Sequence, residues 1–242
     1  MISLAKPEEI TDTLFLSRLT LNPRSREARA ALYDLHALHR LIWRGFPDRR
    51  ESDSPDVGRI LFRLEAEGPI VKDGLPFVLV QSALASDWSP LLSATGGASP
   101  VLDADGKSFA PRLTPGQQLR FRLRATPTVR RHPEDSPRDA DGNSKGKRMG
   151  LRTEEEQRGW LLRKGEAGGF APVEFRVTPL GQLTGNQPSR SGASGRDLKH
   201  TGVDYDGVLR VTDPDLFVQT LAAGVGAGKA WGFGLLSVAR AC

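Results

Sequence analysis

The sequence predicts an α+β protein made of two tandem βαββαβ modules, divided as residues 1–127 and 128–242. Segments of period two interleave with segments of period 3.6, so strands and helices alternate along the chain. In the first half the order is strand, helix, strand, strand, weak helix, strand. That is the split βαβ order of ferredoxin-like (RNA-recognition-motif-like) folds. The second half shows helix, strand, strand, helix, strand, and no sequence repeat relates it to the first.

Residues 14–21, LFLSRLTL, read as a strand because Leu14, Leu16 and Leu19 stand among polar neighbours, and Asn22-Pro23 stops it. From Arg26 to Trp43 the period changes. Leu32, Leu35, Leu38 with His39, and Ile42 recur at helical spacing, and Gly45 followed by Pro47 ends that helix. Strands follow at 59–65 (RILFRLE) and 77–83 (FVLVQSA). Residues 84–115, rich in Gly, Ser and Pro, carry no clear pattern beyond a short helix near Trp88. Residues 119–125, LRFRLRA, alternate cleanly: Leu119, Phe121 and Leu123 point one way, and Arg120, Arg122 and Arg124 the other. A charged loop runs to residue 150. Residues 153–164 begin with a Thr cap and first-turn acids and close with Arg-Lys before Gly165, which are helix boundaries. Strands at 173–179 and 203–212 flank a Gly/Ser-rich hairpin or loop at 183–200. Asp213-Pro214 opens a helix over 215–223, and a glycine-rich turn leads to a last apolar strand at 235–239.

Hydrophobic residues make up 38% and charged residues 26%, so a packed core is expected and global disorder is not. No apolar run approaches the roughly 20 residues of a membrane span, and the first ten residues lack the pattern of a secretory signal. A single cysteine, Cys242, excludes a disulfide framework and a thiolate zinc site, and fits a cytoplasmic protein. Lys+Arg 34 against Asp+Glu 29 leaves net +5, and the excess is segregated. Between Gly106 and Arg131 stand Lys107, Arg112, Arg120, Arg122, Arg124, Arg130 and Arg131 without one acid. Lys145, Lys147, Arg148 and Arg152 form a second cluster. Such segregation suits a polyanion, and a solvated basic face is the alternative.

The glycine segment 223–236, AGVGAGKAWGFGLL, is neither a Walker loop nor a dinucleotide fingerprint. Ala230 follows Lys229 where Ser or Thr is needed, and the segment leaves a helix rather than opening one. Its glycines let the backbone approach another surface, either protein core or a nucleic-acid backbone. Asp139, Asp141 and Asn143 begin like a calcium loop, but Ser144 and Gly150 break the pattern, so no metal or cofactor is expected. The histidines are His36, His39, His132 and His200. His36 and His39 share one helix face next to Arg40, and imidazole suits proton transfer to and from a ribose hydroxyl. A buried, hydrogen-bonded His39 with only a structural part is the competing reading.

These segments together resemble the CasE family, the CRISPR-associated endoribonuclease of type I-E Cascade. The likeness lies in FLSRLTLNPRSREAR (15–29), LHALHR (35–40), GRILFRLE (58–65), VLVQS (78–82), DWSPL (87–91), PGQQLRFRLRATP (115–127) and VGAGKAWGFGLLSVA (225–239). It implies tandem ferredoxin-like domains and metal-independent cleavage of the CRISPR precursor at the 3′ base of its repeat hairpin. The matured guide RNA stays bound as the protein joins the other Cascade subunits. His39 falls at the family's catalytic histidine. Some members carry tyrosine three residues earlier, where this chain has His36, so His36 and Tyr33 are both candidates for the second catalytic group. Candidate RNA contacts are Arg40, Arg120, Arg122, Arg124, Lys145, Lys147, Arg148, Arg190, Arg196, Lys199 and Lys229. The alternatives are a non-catalytic subunit that binds the RNA hairpin, and a scaffold whose basic face docks acidic partners.

Overall fold

The computed structural model describes residues 13–47, 59–66, 74–93, 97–131, 147–187 and 196–241. β1 (Leu14–Leu21) leads to α1 (Arg26–Tyr33), where the Ser25 hydroxyl accepts the Ala28 N–H at 3.4 Å. The one helix expected over 26–43 is two, because α2 (Leu35–Trp43) starts afresh after Asp34. The Asp34 backbone is extended (φ −128°, ψ 111°), and its carboxylate accepts the His36 N–H at 2.9 Å. A short carboxylate that offers the chain its own hydrogen bond ends one helix and caps the next.

β2 (Leu61–Glu65), β3 (Phe77–Ser82), the short α3 (Ser89–Leu92) and β4 (Val101–Phe109) complete an antiparallel sheet of order β2-β3-β1-β4. β4 lies in the segment that showed no pattern. It is an edge strand in which only Val101 is buried, so main-chain pairing with β1 holds it rather than apolar alternation.

β5 (Gln118–Ala125) corrects an expectation. Instead of closing the first sheet it lies between β9 (Arg196–Val211) and β10 (Leu236–Arg240) in a second sheet, ordered β10-β5-β9-β8 with β8 at Phe170–Gln187. Taken sheet by sheet, the chain divides before Gln118, ahead of the boundary expected after residue 127. Alternation shows that one face of a strand is buried; it does not say against which helices. Both sheets have the same ferredoxin-like order, so the repetition absent from the sequence is present in the topology.

Between β5 and α4 (Glu154–Glu166) a hairpin of β6 (Thr128–Arg131) and β7 (Lys147–Gly150) occupies the ends of what was expected to be loop. A capping box between Thr153 and Glu156 starts α4. β8 (Phe170–Gln187) and β9 form a hairpin longer than expected, in which pairing continues to Gln187 and Arg196. α5 (Pro214–Ala223) is capped by Asp213, and a 3₁₀ turn, Lys229–Trp231, precedes β10.

Each sheet has its own core. Leu38, Leu41 and Ile42 of α2 pack with Leu19, Leu21, Val78 and Val80 in the first, and Trp160, Phe217 and Leu221 pack with Phe121, Leu123 and Tyr205 in the second. A buried polar network joins the halves. Arg63 of β2 donates to Glu65 at 2.5 Å, to the Leu235 carbonyl at 3.0 Å and to Ser237 Oγ at 2.8 Å. Arg124 crosses in the other direction to the Leu64 carbonyl at 2.7 Å. Gln81 donates to the Leu221 carbonyl at 2.7 Å.

Candidate active site

The apolar side of α2 carries Leu38, Leu41 and Ile42 into the core and leaves His36 and His39 half-buried at its edge. Their rings stack, with centroids 6.5 Å apart and an interplanar angle of 20°. His39 lies 6.3 Å from the Phe62 ring of β2 and 5.5 Å from the Trp43 ring, and its Nδ1 accepts the Trp43 indole N–H at 3.2 Å. His36 lies 6.0 Å from the ring of Trp231, on the 3₁₀ turn of the second half. The site is therefore composite, since α2 of the first half rests on β8 and on that turn.

The glycine-rich loop makes this approach possible. Gly226 has φ +83°, and a Cβ there would stand 2.8 Å from Trp160; at Gly232, φ +76°, it would stand 3.1 Å from Phe62. Both conditions select glycine. The surface approached at these two positions is protein core.

On its outer side the loop borders a cavity of about 760 Å³ that also touches α4 and the β6–β7 hairpin. Arg59, Arg130, Arg148, Lys164 and Lys229 line it with Trp231, and among the described lining residues none is acidic. Burial, reinforced by Arg59 and Lys164, holds the Lys229 ammonium below the ordinary lysine value. Cations crowded in this way favour an anion between them. Neither histidine lines the cavity. Trp231 belongs to both groups and connects them.

The remaining sequence candidates separate. Tyr33 ends α1 with 83% of its surface exposed, across the Asp34 break from the histidines, and Arg40 is exposed on α2. Arg120, Arg122 and Arg124 do share a strand face, as period two requires, but they do not form a free basic row. Arg124 donates twice to Asp204, both at 2.8 Å, and Arg122 approaches Asp206 at 3.2 Å and Glu65 at 3.5 Å. Burial opposes the charge of Arg124, yet the Asp204 hydrogen bonds hold its pKa above the ordinary guanidinium value. Only Arg120 is exposed. The acids that engage the other two come from β2 and β9, far away in sequence, which is why the strand alone read as basic. Arg148 and Lys229 line the cavity. Lys145 and Arg190 lie outside the described residues, as do the side chains of Lys147, Arg196 and Lys199.

Sequence reasoning missed Arg59, Lys164 and Trp231 at the cavity, and Trp43. Trp43 stood four residues from His39, a spacing that puts both on one helix face. Among the described residues no three His, Cys, Asp or Glu side chains converge as metal ligands, and no helix is long and apolar enough to cross a membrane.

Two ferredoxin-like units, joined so that a pair of imidazoles adjoins a cationic cavity, define a tandem ferredoxin-like protein with a composite site. A family described as CRISPR associated protein matches residues 14–240. The chain is 36% identical over 232 residues to the CRISPR-associated endoribonuclease Cse3 of Thermus thermophilus, covering 93% of this chain and all of that one. It is 34% identical over 213 residues to the Cascade subunit CasE of Escherichia coli, covering 88% and 95%. The structure of Thermus thermophilus Cse3 bound to an RNA representing a pre-cleavage complex superimposes with a TM-score of 0.70 at 37% identity, covering 94% of this chain and all of that one. The chain belongs to the CasE (Cse3) family of CRISPR-associated proteins.

Proposed function

We propose that this protein is the endoribonuclease that cleaves CRISPR precursor RNA at the base of the repeat hairpin and then stays bound to the guide RNA as a Cascade subunit in the cytoplasm. The observation that carries this reading is the meeting of the histidine pair and the cationic cavity at Trp231. The cavity offers positive charge to the RNA backbone, and the histidines offer proton transfer beside it. The relative named an endoribonuclease, and the solved Cse3 complex with pre-cleavage RNA, support it. The relative named a Cascade subunit supports the assembly.

In the reaction a ribose 2′-oxygen attacks its own 3′ phosphorus. The 2′-O–P bond forms and the P–O5′ bond breaks, leaving a 2′,3′-cyclic phosphate and a 5′-hydroxyl. The 2′-hydroxyl loses a proton and the departing 5′-oxygen gains one, so no net proton or electron is consumed. His39 and His36 take part in these transfers, and a cavity cation such as Lys229 offsets charge on the phosphorane-like transition state. Cleavage proceeds without a metal. The test is a repeat-hairpin RNA incubated with the protein in excess EDTA. Cleavage at the hairpin base with cyclic-phosphate ends supports the reading. Tight binding without cleavage makes the protein an RNA-binding subunit, and no preference for the hairpin over random RNA removes both.

A further inference from the structure

We infer that Trp43 is a positioning residue for His39: its indole N–H holds the imidazole as the Nε2–H tautomer, which makes His39 a hydrogen-bond donor toward RNA. The second clause rests on the function proposed above; the first stands without it.

An indole nitrogen donates and never accepts, so the 3.2 Å contact requires a lone pair on His39 Nδ1. A neutral imidazole with its lone pair on Nδ1 carries its proton on Nε2. An imidazolium would turn two N–H groups toward each other, so the bond belongs to the neutral ring. The geometry is built in. The two residues are four apart on α2, and the His36 and Phe62 rings pack against the imidazole as well.

Charged groups among the described residues stand on the same helix and on neighbouring elements. His36 shares the helix, and Lys229 sits on the 3₁₀ turn. Arg59, ahead of β2, interacts with Lys229. Arg63 of β2 is directed at Glu65, and Glu27 of α1 is paired with Arg44. Glu174 and Arg176 of β8 line a separate groove with Arg120 and Arg122. All of these stay constant when only the indole N–H is removed.

The consequence is chemical. At Nε2 the resting enzyme holds an N–H in place of a lone pair, so the ring meets a phosphate oxygen or the departing 5′-oxygen as donor. A base acting through Nε2 would need the tautomer that Trp43 opposes.

The test uses the full-length protein without RNA. Long-range ¹H–¹⁵N spectra of the His39 ring, assigned by their loss in His39→Gln, report which nitrogen is protonated. The wild type is expected to show a protonated Nε2 and a bare Nδ1. In Trp43→Phe the Nδ1–H fraction should rise by about tenfold, the size of one net hydrogen bond, and the protonation midpoint of His39 should move to higher pH. Benzothienylalanine at position 43 keeps the shape and lacks the N–H; it should reproduce both changes, and it decides the matter if the Phe variant fails to fold. A wild-type ring protonated at Nδ1, or spectra and midpoint unmoved by the benzothienyl substitution, would overturn the inference. Neither result touches the nuclease reading, which wild-type cleavage tests separately.

Discussion

Replacing Arg63 by Met should destabilise the protein by about 3–5 kcal/mol, the cost of breaking a buried ion pair from one side. The side chains of Arg63 and Glu65 are 3% and 1% exposed, so water cannot take over what Arg63 provides. Arg63 serves Glu65, the carbonyls of Leu235 and Arg122, and Ser237 Oγ. Met fills the path of the arginine stem but leaves Glu65 with Arg122 at 3.5 Å as its remaining ion-pair partner among the described residues. Replacing both partners, Arg63→Met with Glu65→Met, should recover most of the loss because no buried charge is then stranded. The exposed Arg44–Glu27 pair is the control. At 42% and 49% side-chain exposure, its 2.6 Å contact should be worth about 1 kcal/mol or less. Urea unfolding monitored by tryptophan fluorescence, with a common slope, measures all three. A single Arg63→Met variant within about 1 kcal/mol of wild type would show that Glu65 is not left stranded, and a double variant no more stable than the single one would show that the stranded charge is not the cause of the loss.

The remaining expectations concern the loop, the cavity and the cap. Gly226→Ala should lower the thermal midpoint through about 1–3 kcal/mol of backbone strain at φ +83°, with Trp160 in the way of the new methyl group, as a melting curve would show. Arg130→Ala, Arg148→Ala and Lys164→Ala should each reduce the salt slope of log K for hairpin RNA by roughly 0.7–0.9 for every phosphate the side chain neutralises, read from affinities at several salt concentrations. Arg124→Ala should instead act on stability, because its guanidinium is held by Asp204 and the Leu64 carbonyl. Asp34→Ala should cost about 0.5–2 kcal/mol in urea unfolding through loss of the cap that starts α2.

β1 and β5 were legible because burial on one face writes itself into period two, and β2 and β3, buried on both faces, were legible as short apolar runs. α4 and α5 were legible from their caps. β4 was not, since an edge strand with eight of nine residues at least partly exposed has no apolar code to read. The break at Asp34 was legible only as a capping residue inside a periodic stretch, where the apolar spacing runs on across it. At the site, the spacing of His36 and His39 placed them on one face, and only the resemblance implied a catalytic role for His39. The arginines of β5 illustrate the limit. Their common face followed from geometry, whereas Asp204, Asp206 and Glu65 meet them only through the tertiary fold. For the same reason the cavity cations, drawn from before β2, from β6 and β7, from α4 and from the glycine-rich loop, could not be grouped before the fold brought them together.

If the α2 histidines carry out RNA cleavage beside the cavity, removing His39 should slow the chemistry and spare binding. Single-turnover cleavage of a repeat-hairpin RNA by wild type and His39→Ala, with hairpin affinity measured alongside, separates the two. The variant is expected to lose on the order of a hundredfold or more in rate, the usual share of general acid–base catalysis, while its affinity stays within about twofold. A variant that binds the hairpin and cuts it at the wild-type rate would remove His39 from the mechanism.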